Sequence, residues 1–68
     1  MGGAEKDRAR TEQKLKAAAI RVWSEHGFHG APVQRIAAAA GANASLINRY
    51  FGGKEGLLLA VVEDLIAR

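Results

Sequence analysis

The most constraining feature of this chain is the short interval between two helical segments in its middle. Residues 33–40 carry a helical apolar pattern, which Gly41 can end. Asn43 can then cap a second helix from Ala44 to Phe51. An interval this short cannot join two helices in an ordinary antiparallel hairpin. It sets them steeply across each other, so the sequence predicts a helix-turn-helix.

The residue types on both sides of this turn suit such a crossing. Ala37 is small where the two helices must approach each other, so a bulky residue there should disrupt the packing. The apolar side chains that we expect inside the junction are Ile36, Ala40, Ala42 and Ile47. On the helix after the turn, helical spacing separates an apolar face (Ile47, Tyr50, Phe51) from a polar face (Ser45, Asn48, Arg49).

A longer helical pattern precedes this motif. Leu15, Ala18, Ala19, Val22, Trp23 and His26 recur at three- and four-residue intervals, which places them on one stripe. Thr11 is a suitable N-cap and Gly27 a suitable terminator, so we expect a helix over about 11–26. Phe28 can then fold back on the apolar stripe. Residues 2–10 hold no large apolar side chain, and we expect residues 1–10 to form a flexible N-terminal arm.

A fourth helix is predicted from near Lys54 to the last residue, after a break at Gly52-Gly53. Its apolar residues cover more than half of its circumference: Leu57, Leu58, Leu59, Val61, Val62, Leu65 and Ile66. A three-helix core cannot bury all of them, so part of this helix should pack on something absent from the chain. The expected fold is all-α, a homeodomain-like three-helix helix-turn-helix domain plus the start of a fourth helix. With 68 residues and no cysteine, its core must be thin.

Basic residues outnumber acidic ones around the predicted motif. The 10 Lys and Arg and 7 Asp and Glu give a formal net charge of +3, which alone does not indicate nucleic acid. Residues 28–53, however, contain Arg35 and Arg49 but no Asp or Glu, and Lys54 follows directly. A basic surface without acidic residues can approach a polyanion.

Several separate blocks, in the same order, resemble the N-terminal DNA-binding domain of the tetracycline-repressor (TetR) family. These blocks are Ala18-Ala19, Val22-Trp23, Gly27-Phe28, residues 33–37, residues 39–43, residues 47–51 and residues 54–58. The resemblance covers residues 11–65, and we assign residues 11–68 to this domain type. Three positions depart from the family pattern. Asn48 replaces a frequent aromatic, Arg49 a common His or Tyr, and Gly53 a Ser or Thr.

The resemblance implies a DNA-binding regulator of transcription, with a repressor released by a small ligand as the expected type. It implies double-stranded DNA with a palindromic operator as the partner. The family's members continue into a larger helical domain that binds the small-molecule effector and forms the homodimer. We expect that domain to be absent from this chain. The expected location is the cytoplasm, on the nucleoid when bound to DNA.

In a helix-turn-helix the second helix of the pair lies in the major groove, where base edges distinguish all four base pairs. The candidate DNA-contacting residues are Gln34, Arg35, Ala44, Ser45, Leu46, Asn48, Arg49, Tyr50 and Lys54. Arg49 is the first candidate for specificity because a guanidinium can donate two hydrogen bonds to guanine; a phosphate contact is its alternative. Asn48 cannot make the family's tyrosine contact to a phosphate, but it can donate to one or read a base.

The remaining candidates have more ordinary alternatives. Leu46 could touch a thymine methyl or pack on the preceding helix, and Gln34 and Arg35 should lie along the phosphates or in solvent. Lys54 lies at a predicted helix start, where backbone N–H groups and the helix dipole favour a phosphate. Tyr50 belongs mostly to the core, with its hydroxyl able to reach the DNA backbone.

Other function classes are less well supported. A helical protein-interaction module that docks through the apolar fourth helix is the main alternative, and an RNA-binding module lacks spare stacking aromatics. Gly27 separates His26 from His29 and no third ligand is near, so we expect no metal site. Gly52-Gly53-Lys54 is followed by Glu55 and fails as a nucleotide-binding loop. We expect neither an enzyme nor a cofactor, and no apolar run is long enough to span a membrane.

Overall fold

The computed structural model describes residues 3–67. They form four helices, which are α1 (Gly3–His26), α2 (Val33–Ala40), α3 (Ser45–Phe51) and α4 (Lys54–Ala67). Helix α1 packs against α2 and α4, while α3 lies against α4. No strand occurs among the described residues, which confirms the all-α helix-turn-helix class. Within the same range, no helix combines the length and the apolar character that a membrane span requires.

One large apolar side chain from each helix meets in the centre of the domain. These four fully buried residues are Leu15, Ile36, Ile47 and Leu57. Smaller side chains complete the core, namely Ala18, Ala19, Val22, Ala31, Ala37 and Val61. Ala37 is 2% exposed, as expected for a small residue at a helix crossing. The core is therefore thin and depends on all four helices.

Helix α1 begins earlier than the apolar pattern predicts. It starts at Gly3, so Thr11 lies inside the helix, where its hydroxyl donates to the carbonyl of Asp7 (2.9 Å) rather than capping a start. The predicted arm of residues 1–10 is thus helical from residue 3, while Met1 and Gly2 lie outside the described residues. Residues 7–10 of this extension are exposed, and Arg8 pairs with Glu12 at the i,i+4 spacing that stabilises a helix.

The end of α1 lies where the sequence predicts it. Gly27 has a left-handed conformation (φ 76°), and its N–H donates to the carbonyl of Trp23 (2.8 Å). Phe28 folds back as expected, with its ring centroid 5.4 Å from that of Trp23. His26 falls on the same stripe by its spacing, but it is exposed.

The turn between α2 and α3 closes through local hydrogen bonds. Gly41 (φ 69°) donates to the carbonyl of Ala38 (3.1 Å), and Ala42 donates to that of Ala37 (2.9 Å), which is a Schellman motif. The Asn43 side chain accepts the N–H of Ser45 (2.9 Å), as a helix cap does. The predicted turn chemistry is therefore confirmed at Gly41 and Asn43.

Helix α2 covers residues 33–40, as the apolar pattern predicts. Pro32 precedes it as the N-cap, with an extended backbone (φ −63°, ψ 157°). The carbonyl of Pro32 accepts the N–H of Arg35 (3.0 Å). Proline suits this place before a helix because it has no N–H to leave unsatisfied.

Helix α4 is only partly covered by the rest of the domain. Leu57 and Val61 are buried, but Leu59 is 59% exposed and Ile66 is 77% exposed. The start of α4 comes very close to the end of α3, since a Cβ on Gly56 would lie 1.6 Å from the carbonyl oxygen of Phe51. An ion pair between Lys16 and Asp64 (2.6 Å) also joins α4 to α1. The expectation that this core leaves much of the apolar surface of α4 uncovered is confirmed.

Candidate nucleic-acid interface

Helix α3 presents a polar face to solvent, as its spacing predicts. Ser45, Asn48 and Arg49 are exposed. On the other side Ile47 is fully buried, and Tyr50 and Phe51 are partly buried against the core. The helix is thus anchored by one face and leaves the other for contacts outside the domain.

The positive charge of Arg49 on this surface is not paired with an acidic residue among those described. The ion pairs found among the described residues join Arg8 to Glu12, Lys16 to Asp64 and His26 to Glu25. Arg49 belongs to none of these pairs, and neither α2 nor α3 has an acidic residue in its first turn. A guanidinium placed in this way can donate hydrogen bonds to a phosphate or to a base edge without first breaking an ion pair.

The candidate residues on α2 lie at the start of that helix. Gln34 and Arg35 are both exposed. Arg35 has one weak internal contact, from Nη1 to the carbonyl of Gly30 at 3.5 Å, which is at the limit for a hydrogen bond. Both side chains are therefore accessible to a ligand that lies along the start of α2.

Two candidates at the turn have a mixed role. Ala44 and Leu46 are half-buried and pack against the core. Ala44 already has a helical conformation (φ −59°, ψ −29°), so Asn43 is the capping residue in conformational terms. Leu46 packs in part against the core, and its contact to a thymine methyl stays a prediction.

Lys54 makes internal contacts that the sequence did not predict. Its ammonium group donates to the carbonyl of Phe28 and lies 4.2 Å from the centroid of the Phe28 ring. The contact ties the start of α4 to the loop between α1 and α2. One of three ammonium donors is thereby used, and a contact from Lys54 to phosphate stays a prediction.

Tyr50 also has an unexpected neighbour. The guanidinium carbon of Arg8 lies 4.7 Å from the centroid of the Tyr50 ring, within the range of a cation–π interaction. One indirect signal for Arg8 is present in the sequence, because Glu12 follows it at i,i+4 and indicates that the helix continues towards the N-terminus. Reading residues 1–10 as an arm concealed this contact.

The described residues offer little for a small ligand or a metal ion. The larger of two surface cavities, about 200 Å³, is an open groove lined by Lys14, Ala17, Ala18, Arg21, Ala39 and Ala40. Its volume is below the range of about 300–1,000 Å³ that is typical of small-molecule sites. Within residues 3–67, no group of three or more His, Cys, Asp or Glu side chains is placed to hold a metal.

Most of the chain matches a known protein family. Residues 15–61 match the family model described as bacterial regulatory proteins of the tetR family. The chain belongs to the tetR family. The match includes all of α2 and α3 and confirms the resemblance that the sequence blocks indicated. The family is described as bacterial regulatory proteins, and the related proteins are named as transcription regulators.

Three relatives illustrate the similarity. The chain is 38% identical over 58 residues to the HTH-type transcriptional repressor NicS of Pseudomonas putida. The aligned region covers 85% of this chain and 27% of that protein. It is 42% identical over 53 residues to the HTH-type transcriptional regulator BetI of Vibrio vulnificus, covering 78% and 27%. It is 38% identical over 58 residues to the HTH-type transcriptional repressor AcnR of Corynebacterium glutamicum, covering 85% and 31%.

The similarity is confined to part of these relatives. The chain spans 27% to 31% of their length. No solved structure shows a significant match to the chain.

Proposed function

We propose that this chain is the part of a TetR-family regulator that recognises a specific duplex DNA sequence, with α3 in the major groove. The observation that carries this proposal is the exposed face of Ser45, Asn48 and Arg49 on a helix anchored by Ile47. A major groove admits one α-helix, and the second helix of a helix-turn-helix is the one that enters it. Family membership supports the same reading.

Within this proposal the side chains divide into base readers and phosphate ligands. Arg49 donates two hydrogen bonds to guanine, and Asn48 and Ser45 make further contacts to bases or to adjacent phosphates. Gln34 and Arg35 contact the phosphates beside α2. Ala44, Leu46, Tyr50 and Lys54 line the edges of the interface.

We propose that the whole protein is a homodimer that binds a palindromic operator in the cytoplasm and, when bound, is associated with the nucleoid. In this proposal it is a repressor that a small effector releases. The chain's share of its relatives' length supports a separate domain for the effector and the dimer. The exposed Leu59 and Ile66 on α4 support a contact with that domain.

A selection followed by a salt titration tests the DNA-binding proposal. Duplexes retained by this chain from a random pool identify a preferred sequence, and affinity for it is then measured between about 50 and 200 mM salt. Each phosphate neutralised should contribute a slope of about −0.9 to log affinity against log salt. Failure to enrich any sequence would contradict the proposal.

A second candidate function is a helical interaction module that docks a partner protein through α4. The exposed apolar residues of that helix favour it, with Leu65 53% and Ile66 77% exposed. Such docking is hydrophobic, so its affinity should not fall steeply as salt rises. The same titration therefore separates the two candidates.

A further inference from the structure

The side chain of Arg8 on α1 contacts α3, the helix that we propose enters the major groove. Helix α3 lies against α4 and is joined to α2 by the turn, whereas α1 packs mainly on α2 and α4. Across the remaining gap, the Arg8 guanidinium lies 4.7 Å from the centroid of the Tyr50 ring. This cation–π contact joins the first turns of α1 to the last turn of α3.

The guanidinium is held from a second side. Its Nε donates to the Glu12 carboxylate at 2.7 Å, and the Glu12 side chain is only 29% exposed. A planar guanidinium can pair with a carboxylate at its edge while its face lies on an aromatic ring. Arg8 therefore has a defined position on Tyr50 although its side chain is 55% exposed.

Tyr50 is well placed to transmit such a constraint. Its ring is partly buried and packs against the core, and the residue lies between the buried Ile47 face and the exposed Arg49. Helix α3 has only 7 residues, and a helix this short takes its stability and orientation from the side chains that pack against it. A contact that fixes the Tyr50 ring therefore also restrains the rotation of α3 about its axis.

We propose that Arg8 is a positioning residue for base recognition, which holds Tyr50 and thereby sets the angle at which α3 presents Asn48 and Arg49. This inference rests on the proposed function. In it Arg8 acts through Tyr50 and Glu12 and makes no contact with DNA. In this proposal the first turns of α1 hold α3 in its orientation.

The test compares Arg8→Ala with Arg10→Ala in this chain. Arg10 is also an exposed arginine of α1, so both variants remove the same charge, but Arg10 projects from the other side of the helix. Each protein is titrated with the duplex selected by the wild type and with a scrambled duplex of equal length. Arg8→Ala should lower the ratio of the two affinities about two- to fivefold, which corresponds to a cation–π contact of about 0.5–1 kcal/mol.

Three further readouts distinguish positioning from other roles. The salt slope should be unchanged in Arg8→Ala, and Arg10→Ala should retain the wild-type affinity ratio. In a Tyr50→Leu background, Arg8→Ala should lower the ratio no further, because the coupling partner is gone. Binding is measured well below the melting temperature of every variant, so that loss of folded protein does not contribute.

Several results would overturn the inference. A salt slope reduced by about one with an unchanged ratio would make Arg8 a phosphate ligand. An equal fall in Arg10→Ala would reduce the effect to general charge. If the wild type prefers no duplex, the proposed function fails as well. If the wild type discriminates and Arg8→Ala discriminates equally, only the positioning role fails.

Discussion

The helix-turn-helix and helix α4 distribute their apolar residues in opposite ways. Between residues 33 and 51, the large apolar side chains turn inward, with Ile36 and Ile47 fully buried, and the outer face of α3 is polar. In α4, Leu57 is buried but Leu59, Leu65 and Ile66 are more than half exposed. In the first region the large apolar side chains are covered by the domain itself. In the second, much of the apolar surface is left uncovered by the described residues.

Two leucines of α4 give the strongest test of this difference. Leu57→Ala removes a side chain with no exposed surface, and the lost burial and the resulting cavity should cost about 2–5 kcal/mol of unfolding free energy. Leu59→Ala, in the same helix at 59% exposure, should change it by less than about 0.5 kcal/mol. Urea denaturation of the wild type and the two variants measures both changes in unfolding free energy. Similar losses in the two variants would mean that Leu59 contributes to the core of this chain.

A second pair of variants tests the tight crossing of α2. Ala37 is 2% exposed, so Ala37→Leu should force the surrounding helices apart and cost about 1–3 kcal/mol. Ala38 is exposed on the same helix, and Ala38→Leu adds the same atoms in open space. Thermal melting should show a clearly lower midpoint for the first variant alone. A stable Ala37→Leu protein would show that the junction has spare volume.

The outer face of α3 should carry binding and contribute little to stability. Arg49→Ala should weaken discrimination at particular base positions by about 1–3 kcal/mol, because it removes the two-bond contact to guanine that we propose. Its unfolding free energy should stay within about 0.5 kcal/mol of the wild type, since Arg49 is exposed. Arg21→Ala, an exposed arginine on α1, is the matched control for charge. A uniform loss of affinity for all sequences would instead assign Arg49 to a phosphate.

The same comparison explains how far the sequence alone could predict the structure. The ends of α1 and α2 followed from Gly27 and Gly41 because helix termination is a local matter of backbone conformation and nearby hydrogen bonds. The start of α1 did not follow from apolar spacing, since residues 7–10 are exposed and offer no buried stripe to detect. The burial pattern on α3 was predictable from its period.

Contacts between distant segments were not predictable in this way. The Lys54 ammonium meets the Phe28 carbonyl across a separation of 26 residues, and Arg8 meets Tyr50 across the gap between α1 and α3. Neither pair shares a helix or a turn, so no local rule connects the residues. Their geometry depends on how the four helices pack. The exposed polar face of α3 could therefore be predicted from the sequence, but the contacts that support this helix could not.

The smallest expected effect concerns the turn itself and sharpens the contrast with α4. Asn43→Ala removes the side-chain acceptor of the Ser45 N–H (2.9 Å) and should cost typically about 1 kcal/mol. Asn43→Ser retains a capping oxygen and should recover most of that loss. Hydrogen exchange of the α3 amides should accelerate in Asn43→Ala and much less in Asn43→Ser. Equal protection of α3 in both variants would contradict this expectation. It would mean that the packing of Ile47 and Tyr50 against the core maintains α3 without its cap.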